Sequence, residues 1–111
     1  MLLLEMIYRQ KNSPNTILFF KTAHHYTVYN EGAFLLREYG NLIDVNYYCG
    51  IGDFVLSTCY SEDKFLEICN KHNITKKNFF YEMILSDVNE MDNEIYEIWK
   101  SRFTYKLESY I

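Results

Sequence analysis

Two short apolar runs, Ile17 to Lys21 and His25 to Tyr29, are separated by only three residues, Thr22-Ala23-His24. A connection that short cannot carry a crossover, so two extended runs joined by it must lie side by side and antiparallel. Their composition favours extension: Ile17, Phe19 and Phe20 in the first and Tyr26, Thr27, Val28 and Tyr29 in the second are β-branched or aromatic residues that suit a pleated surface. Directly afterwards Asn30 offers a helix-capping side chain, and Glu31 to Glu38 reads as a helix burying Ala33, Phe34 and Leu36, with Gly40 as its stop. Strand, tight bend, strand and helix therefore open the fold.

The flanking sequence supplies further elements. Leu2, Leu3, Met6 and Ile7 have the spacing of a short amphipathic helix, halted by Asn12-Ser13-Pro14-Asn15. Asp44 to Cys49 and Phe54 to Tyr60 are β-rich runs joined by Gly50-Ile51-Gly52-Asp53, whose glycines provide the positive-φ positions of a hairpin. Ser61 is placed to cap a helix through about His72, with Phe65, Leu66 and Cys69 on one face, and Phe79 to Leu85 reads as another strand. From Asp87, Met91, Ile95, Ile98, Trp99, Phe103, Leu107 and Tyr110 recur at three- and four-residue steps, the pattern of a long final helix. The class is α+β: a mixed, largely antiparallel sheet of about five strands packed with about four helices, in one domain spanning residues 1–111.

Composition excludes several function classes. An apolar fraction of 49% rules out a disordered chain, and no apolar run approaches the roughly 18 residues of a membrane span. The start, Met1-Leu2-Leu3-Leu4-Glu5, has no basic segment ahead of its apolar residues, so a cytoplasmic protein is expected. Cys49, Cys59 and Cys69 form an odd set without a C-x-x-C pair and are expected as small buried hydrophobes. The net charge of −4 is concentrated in Glu82, Asp87, Glu90, Asp92, Glu94 and Glu97, a run that repels phosphate.

The run from Ile17 to Ala33 resembles the opening of the N-terminal mismatch-recognition domain of the MutS DNA mismatch-repair proteins, with its pattern I-L-L-F-x-x-x-G-D-F-Y-E-L-F-x-x-D-A. Met6 to Lys11, Pro14, the Cys49-Gly50-Ile51 turn, Tyr60 and Ser61 to Cys69 extend that likeness in order and spacing over roughly residues 6 to 85. The resemblance implies a MutS domain I-like fold and a DNA contact at the bend. The departures fall on the reading positions: Ala23-His24 stand where the family has Gly-Asp, His25 where it has the stacking Phe, and Thr27 where it has Glu. No Walker A sequence is present, so the resemblance implies a stand-alone or excised module without the family's ATPase.

The candidate DNA-binding residues are accordingly His24, His25, Tyr26 and Thr27 at the bend, with Lys21, Lys71, Lys76 and Lys77 as phosphate contacts and Arg9 and Lys11 as further cations. Tyr29, Tyr47, Tyr48, Phe79, Phe80 and Tyr81 are aromatic enough to offer stacking platforms, although in strands such residues usually pack. His24 and His25 on one strand would point to opposite faces, one packed and one exposed, and with His72 as the sole other histidine no metal site or cofactor is expected. Ser61-Glu62-Asp63-Lys64 matches S-x-x-K in form, but its partner motifs are absent and it reads as a helix cap. No constellation meets the geometric needs of an enzyme. The competing reading is a protein-interaction or self-association domain, a homodimer or the module of a larger partner, using Tyr96, Trp99, Phe103 and Tyr110 on the final helix.

Overall fold

The computed structural model describes residues 1–39, 48–49, 55–86 and 90–108, and the side chains of these except 39, 48–49 and 103–108. The chain begins with α1 (Leu3–Lys11), followed by β1 (Thr16–Thr22), β2 (His25–Tyr29) and α2 (Glu31–Tyr39). Then come β3 (Tyr48–Cys49), β4 (Leu56–Ser61), α3 (Glu62–Lys71), β5 (Thr75–Lys76), β6 (Tyr81–Ile84) and α4 (Asn93–Glu108). The strands form one sheet in the order β3-β4-β2-β1-β6-β5, every neighbouring pair antiparallel. The α+β class and the antiparallel character match the sequence expectation. A sixth strand enters through β5, which its two-residue length hides from any periodicity.

β1 is the axis of the molecule. Thr16 to Phe20 are buried without interruption because both faces of the strand are covered. Ile17 and Phe19 join Val28, Leu35, Leu36, Tyr60, Phe65, Ile68 and Met83 on the side of α2 and α3. Leu18 and Phe20 join Met6 and Tyr29 on the side of α1. The strand divides its pairing: Thr16 to Phe19 register with β6, and Phe20 to Thr22 with β2. On its β2-facing edge the N-terminal half would be left without partners. Gln10 fills that gap, donating from Nε2 to the Thr16 carbonyl (2.7 Å) and accepting the Leu18 N–H at Oε1 (3.0 Å). Its carboxamide imitates a peptide of a neighbouring strand, so a residue of the amphipathic helix read as polar is buried to 1% exposure.

Leu2, Leu3 and Leu4 are exposed instead, and α1 docks through Met6 and Gln10 with Ile7 half-buried. Asn30, expected to cap α2, extends the β2–β4 ladder: its N–H bonds the Leu56 carbonyl (2.8 Å) and its Oδ1 accepts the Leu56 N–H (3.0 Å). It does so at φ 43°, a conformation asparagine tolerates better than most residues. Ser61 does cap α3, its Oγ accepting the Lys64 N–H at 3.2 Å. That helix buries Phe65 and Ile68 with Cys69 half-buried against them, while Leu66 is exposed, which turns the expected face by about a fifth of a turn.

The expected Asp44–Tyr60 hairpin is present where β3 meets β4, with Tyr48 opposite Ser57 and Cys49 opposite Leu56; its glycine turn lies outside the described residues. The strand expected from Phe79 begins at Tyr81, and Phe79 stands exposed in the turn before it. Asp92 begins the final helix, its Oδ1 accepting the N–H groups of Glu94 (2.9 Å) and Ile95 (3.3 Å). Asp87 and Gly40, assigned as helix limits from sequence, lie outside the described residues.

Candidate nucleic-acid interface

The register places the candidate residues along one end of the sheet. Phe20 lies opposite Thr27 and Thr22 opposite His25, so the two-residue turn Ala23-His24 caps β1 and β2 at that end. His25 lies opposite Ser61, which brings the start of α3 to the same end on the β4 side. On the other side, Phe19 registers with Tyr81 and Tyr81 with Lys76, and the Lys77 N–H bonds the Phe80 carbonyl at 2.8 Å to close the β5–β6 turn. Two hairpin turns, residues 22–25 and 77–80, therefore stand next to one another at the rim.

The bend is shaped by its backbone. Ala23 adopts φ 53°, and Thr22 and Thr27 share a hydroxyl–hydroxyl hydrogen bond of 2.6 Å just below it. Lys21, His24 and His25 are exposed. The expected split of the two histidines into one packed and one exposed fails because His24 belongs to the turn and not to a strand. Tyr26 and Thr27 are buried, which removes them from direct contact with a ligand. Tyr26 stacks on Phe65, with ring centroids 4.0 Å apart and planes 9° from parallel, and so fixes the bend onto α3.

Charge changes sign along the rim. Beside His25 the first turn of α3 carries Glu62 and Asp63. At the opposite flank Arg9, Lys76, Lys77, Asn78, Phe79 and Phe80 line an open recess of about 640 Å³. Arg9 lies over the Phe80 ring, 5.4 Å from its centroid, and Phe80 packs on Phe20 of the core at 5.7 Å. Lys77 pairs with Glu82 at 3.4 Å; Arg9 and Lys76 meet no carboxylate among the described residues. Lys71 ends α3, a helix of 10 residues that begins at the rim, and so lies about 15 Å down the sheet at 1.5 Å per residue. It does not join Lys76 and Lys77 as the sequence grouping assumed.

Glu90 and the residues opening α4 lie far from this rim. With Glu31, Pro14 and Asn15 they surround a smaller polar pocket at the end where β1 begins. Tyr96 and Trp99, expected on an outward partner surface, are buried against Ala33, Phe34 and Leu56; both rings meet Phe34, at 5.7 and 5.2 Å. Tyr96 donates its hydroxyl hydrogen to Glu31 Oε1 (3.2 Å), and burial together with that carboxylate pushes the phenol far above the usual tyrosine range. Among the described side chains of α4 the exposed large apolar ones are Ile95 and Ile98, while the side chains of Phe103 and Tyr110 lie outside the described set.

Cys59 is exposed because β4 alternates and Cys59 falls on its outer face, a correction to the expected burial; Cys69 is half-buried, and burial raises its thiol. Among the described residues no three His, Cys, Asp or Glu side chains converge to hold a metal ion, and no helix is long and apolar enough to cross a membrane.

In the sequence the lysines and the aromatics Phe79 and Phe80 stand as separate groups. What assembles them is the β5–β6 turn together with Arg9 from a distant helix. The adjacency Lys76-Lys77-Asn78-Phe79-Phe80 was the available signal. No protein-family model, curated protein or solved structure matches this chain.

Proposed function

We propose that the chain is a non-enzymatic module on a MutS domain I-like scaffold that binds DNA weakly through the rim of its sheet. The observation carrying this reading is that Lys21, His24 and His25 are all exposed at the β1–β2 turn, which Tyr26 anchors by stacking on Phe65. Lys21 together with Arg9, Lys76 and Lys77 of the neighbouring turn gives four cationic contacts on a chain of net charge −4, which makes binding electrostatic, salt-sensitive and modest. Loss of the family's reading Phe and Glu leaves no carboxylate at the bend to discriminate a mispair. Gel-shift titration with matched duplex, mismatched duplex and single-stranded DNA at low salt tests it: Lys21→Glu weakens every complex, and absence of any complex with wild-type protein refutes the reading.

A second reading is self-association through α4, supported by Ile95 and Ile98 at 56% and 52% exposure on a helix whose other face is already buried. It requires a dimer in sedimentation that Ile98→Glu dissociates; a monomer at all concentrations refutes it.

A further inference from the structure

We propose that the recess between α1 and the β5–β6 turn binds single-stranded nucleic acid, with Phe79 stacking on an unpaired base and Arg9, Lys76 and Lys77 meeting the flanking phosphates. The proposal rests on the nucleic-acid reading above and moves the main contact from the β1–β2 bend to its neighbour.

Three observations point to this ligand. Phe79 is a large aromatic ring left 66% exposed in a tight turn, whereas its neighbour Phe80 is anchored in the core. A solvent-facing ring on a fixed backbone is a stacking platform, and it is useful only to a base whose face is free. A duplex hides its base faces, so the platform selects single strands, loops or frayed ends.

Secondly, two of the three cations around the ring, Arg9 and Lys76, meet no carboxylate among the described residues. Arg9 is held in place by the Phe80 ring and keeps its hydrogen-bond donors, because a ring face attracts the guanidinium without consuming its N–H groups. Lys76 lies on an edge strand and is exposed. Lys77 is shared with Glu82, which lowers its contribution and leaves the recess with a net positive charge. The acidic first turn of α3 stands on the opposite flank, beyond β2, so an anionic chain is drawn towards the recess more than towards the α3 side of the bend.

Thirdly, the geometry suits a strand and not a lone anion. From β2 to β5 the rim crosses three strand spacings, about 14 Å at roughly 4.8 Å each. The β1–β2 turn with exposed His24 lies along this line, so a chain seated on Phe79 continues towards it. The recess itself, about 640 Å³ and open on one side, admits a base with its sugar and phosphate.

The test is fluorescence anisotropy of the full chain with labelled oligo-dT, oligo-rU and a duplex DNA of equal length, over a series of salt concentrations. Both single strands bind more tightly than the duplex, and the slope of log affinity against log salt corresponds to about three phosphates at roughly −0.7 each. Phe79→Ala weakens single-strand binding about tenfold while Phe79→Tyr retains it, since either ring can stack. Lys76→Gln reduces the salt slope by about 0.7. The variants are exposed-site changes, and a thermal melt matching wild type shows that any loss is not unfolding. A duplex preference, or Phe79→Ala binding as wild type does, overturns the proposal. If Lys21→Glu abolishes binding while Phe79→Ala does not, the recess is wrong and the bend reading stands. If wild-type protein binds none of the three probes, both fall.

Discussion

Gly32→Ala destabilises this protein even though it replaces a helical glycine by the best helix former. A Cβ at position 32 would overlap Gln10 Oε1, approach Gln10 Cδ to 2.8 Å and lie 2.7 Å from Val28 Cγ1. A carboxamide at the end of a flexible side chain normally moves aside, but this one is tied to the Thr16 carbonyl and the Leu18 N–H. Displacing it leaves two buried backbone groups of β1 unpaired, at about 1 to 3 kcal/mol each. Val28 is fully buried in β2 and its branched side chain is restricted about χ1, so it does not yield cheaply. Against this stands a gain of at most about 1 kcal/mol in helix propensity. The net loss is about 2 to 4 kcal/mol, which at roughly 4 °C per kcal/mol lowers Tm by about 8 to 16 °C. Calorimetry or circular-dichroism melts of Gly32→Ala, Gln10→Ala and the double variant form the assay. Because most of the Gly32→Ala cost passes through Gln10, it shrinks in the Gln10→Ala background, giving a coupling of at least about 1 kcal/mol. An unchanged or raised Tm for Gly32→Ala, or additivity within about 0.5 kcal/mol, refutes the reasoning.

Trp99→Ala removes the ring that closes the Phe34–Tyr96 cluster and costs about 3 to 5 kcal/mol in urea unfolding; a change below about 1 kcal/mol would place Trp99 on the surface after all. Tyr96 has its folded pKa raised above the ordinary 10.0, so its contribution is complete below that pH and is lost as the unfolded chain ionises first. Stability accordingly falls above about pH 10, and Tyr96→Phe flattens that fall by about 1.4 kcal/mol per pH unit; an identical slope in the variant refutes it. Exposed Cys59 is alkylated by iodoacetamide ahead of Cys69, whose half-buried thiol is raised by desolvation, and peptide mass spectrometry showing the reverse order contradicts the placement of β4.

The elements with strong local signals were legible from the residues alone. The three-residue connection between Lys21 and His25 forced an antiparallel pair, Ser61 capped its helix, and the β-rich runs on either side of the glycine turn paired as a hairpin. Elements whose signal is not local were missed. β5 has two residues and exists because β6 offers it an edge. Gln10 reads as the polar side of a surface helix, yet its partner is a gap in a ladder formed by residues 16 to 18. Asn30 fits a helix cap equally well, and the competing Leu56 amide lies 26 residues away. The candidate site shows the same division: cationic and aromatic residues are visible as types, but Lys71 is separated from Lys76, and Arg9 joined to Phe80, only by how the helices dock.

By itself the sequence determined the α+β class, the antiparallel opening hairpin and the cap of α3 at Ser61. Those features depend on side-chain alternation, chain length between strands and capping groups within a few residues, all of which are local. The tertiary structure alone decided which face of α4 is buried, why Gly32 carries no side chain, and that Phe79 stands in solvent beside three cations. These depend on contacts between segments far apart in sequence, where shape and unpaired hydrogen-bonding groups select the partner and no periodicity records the choice.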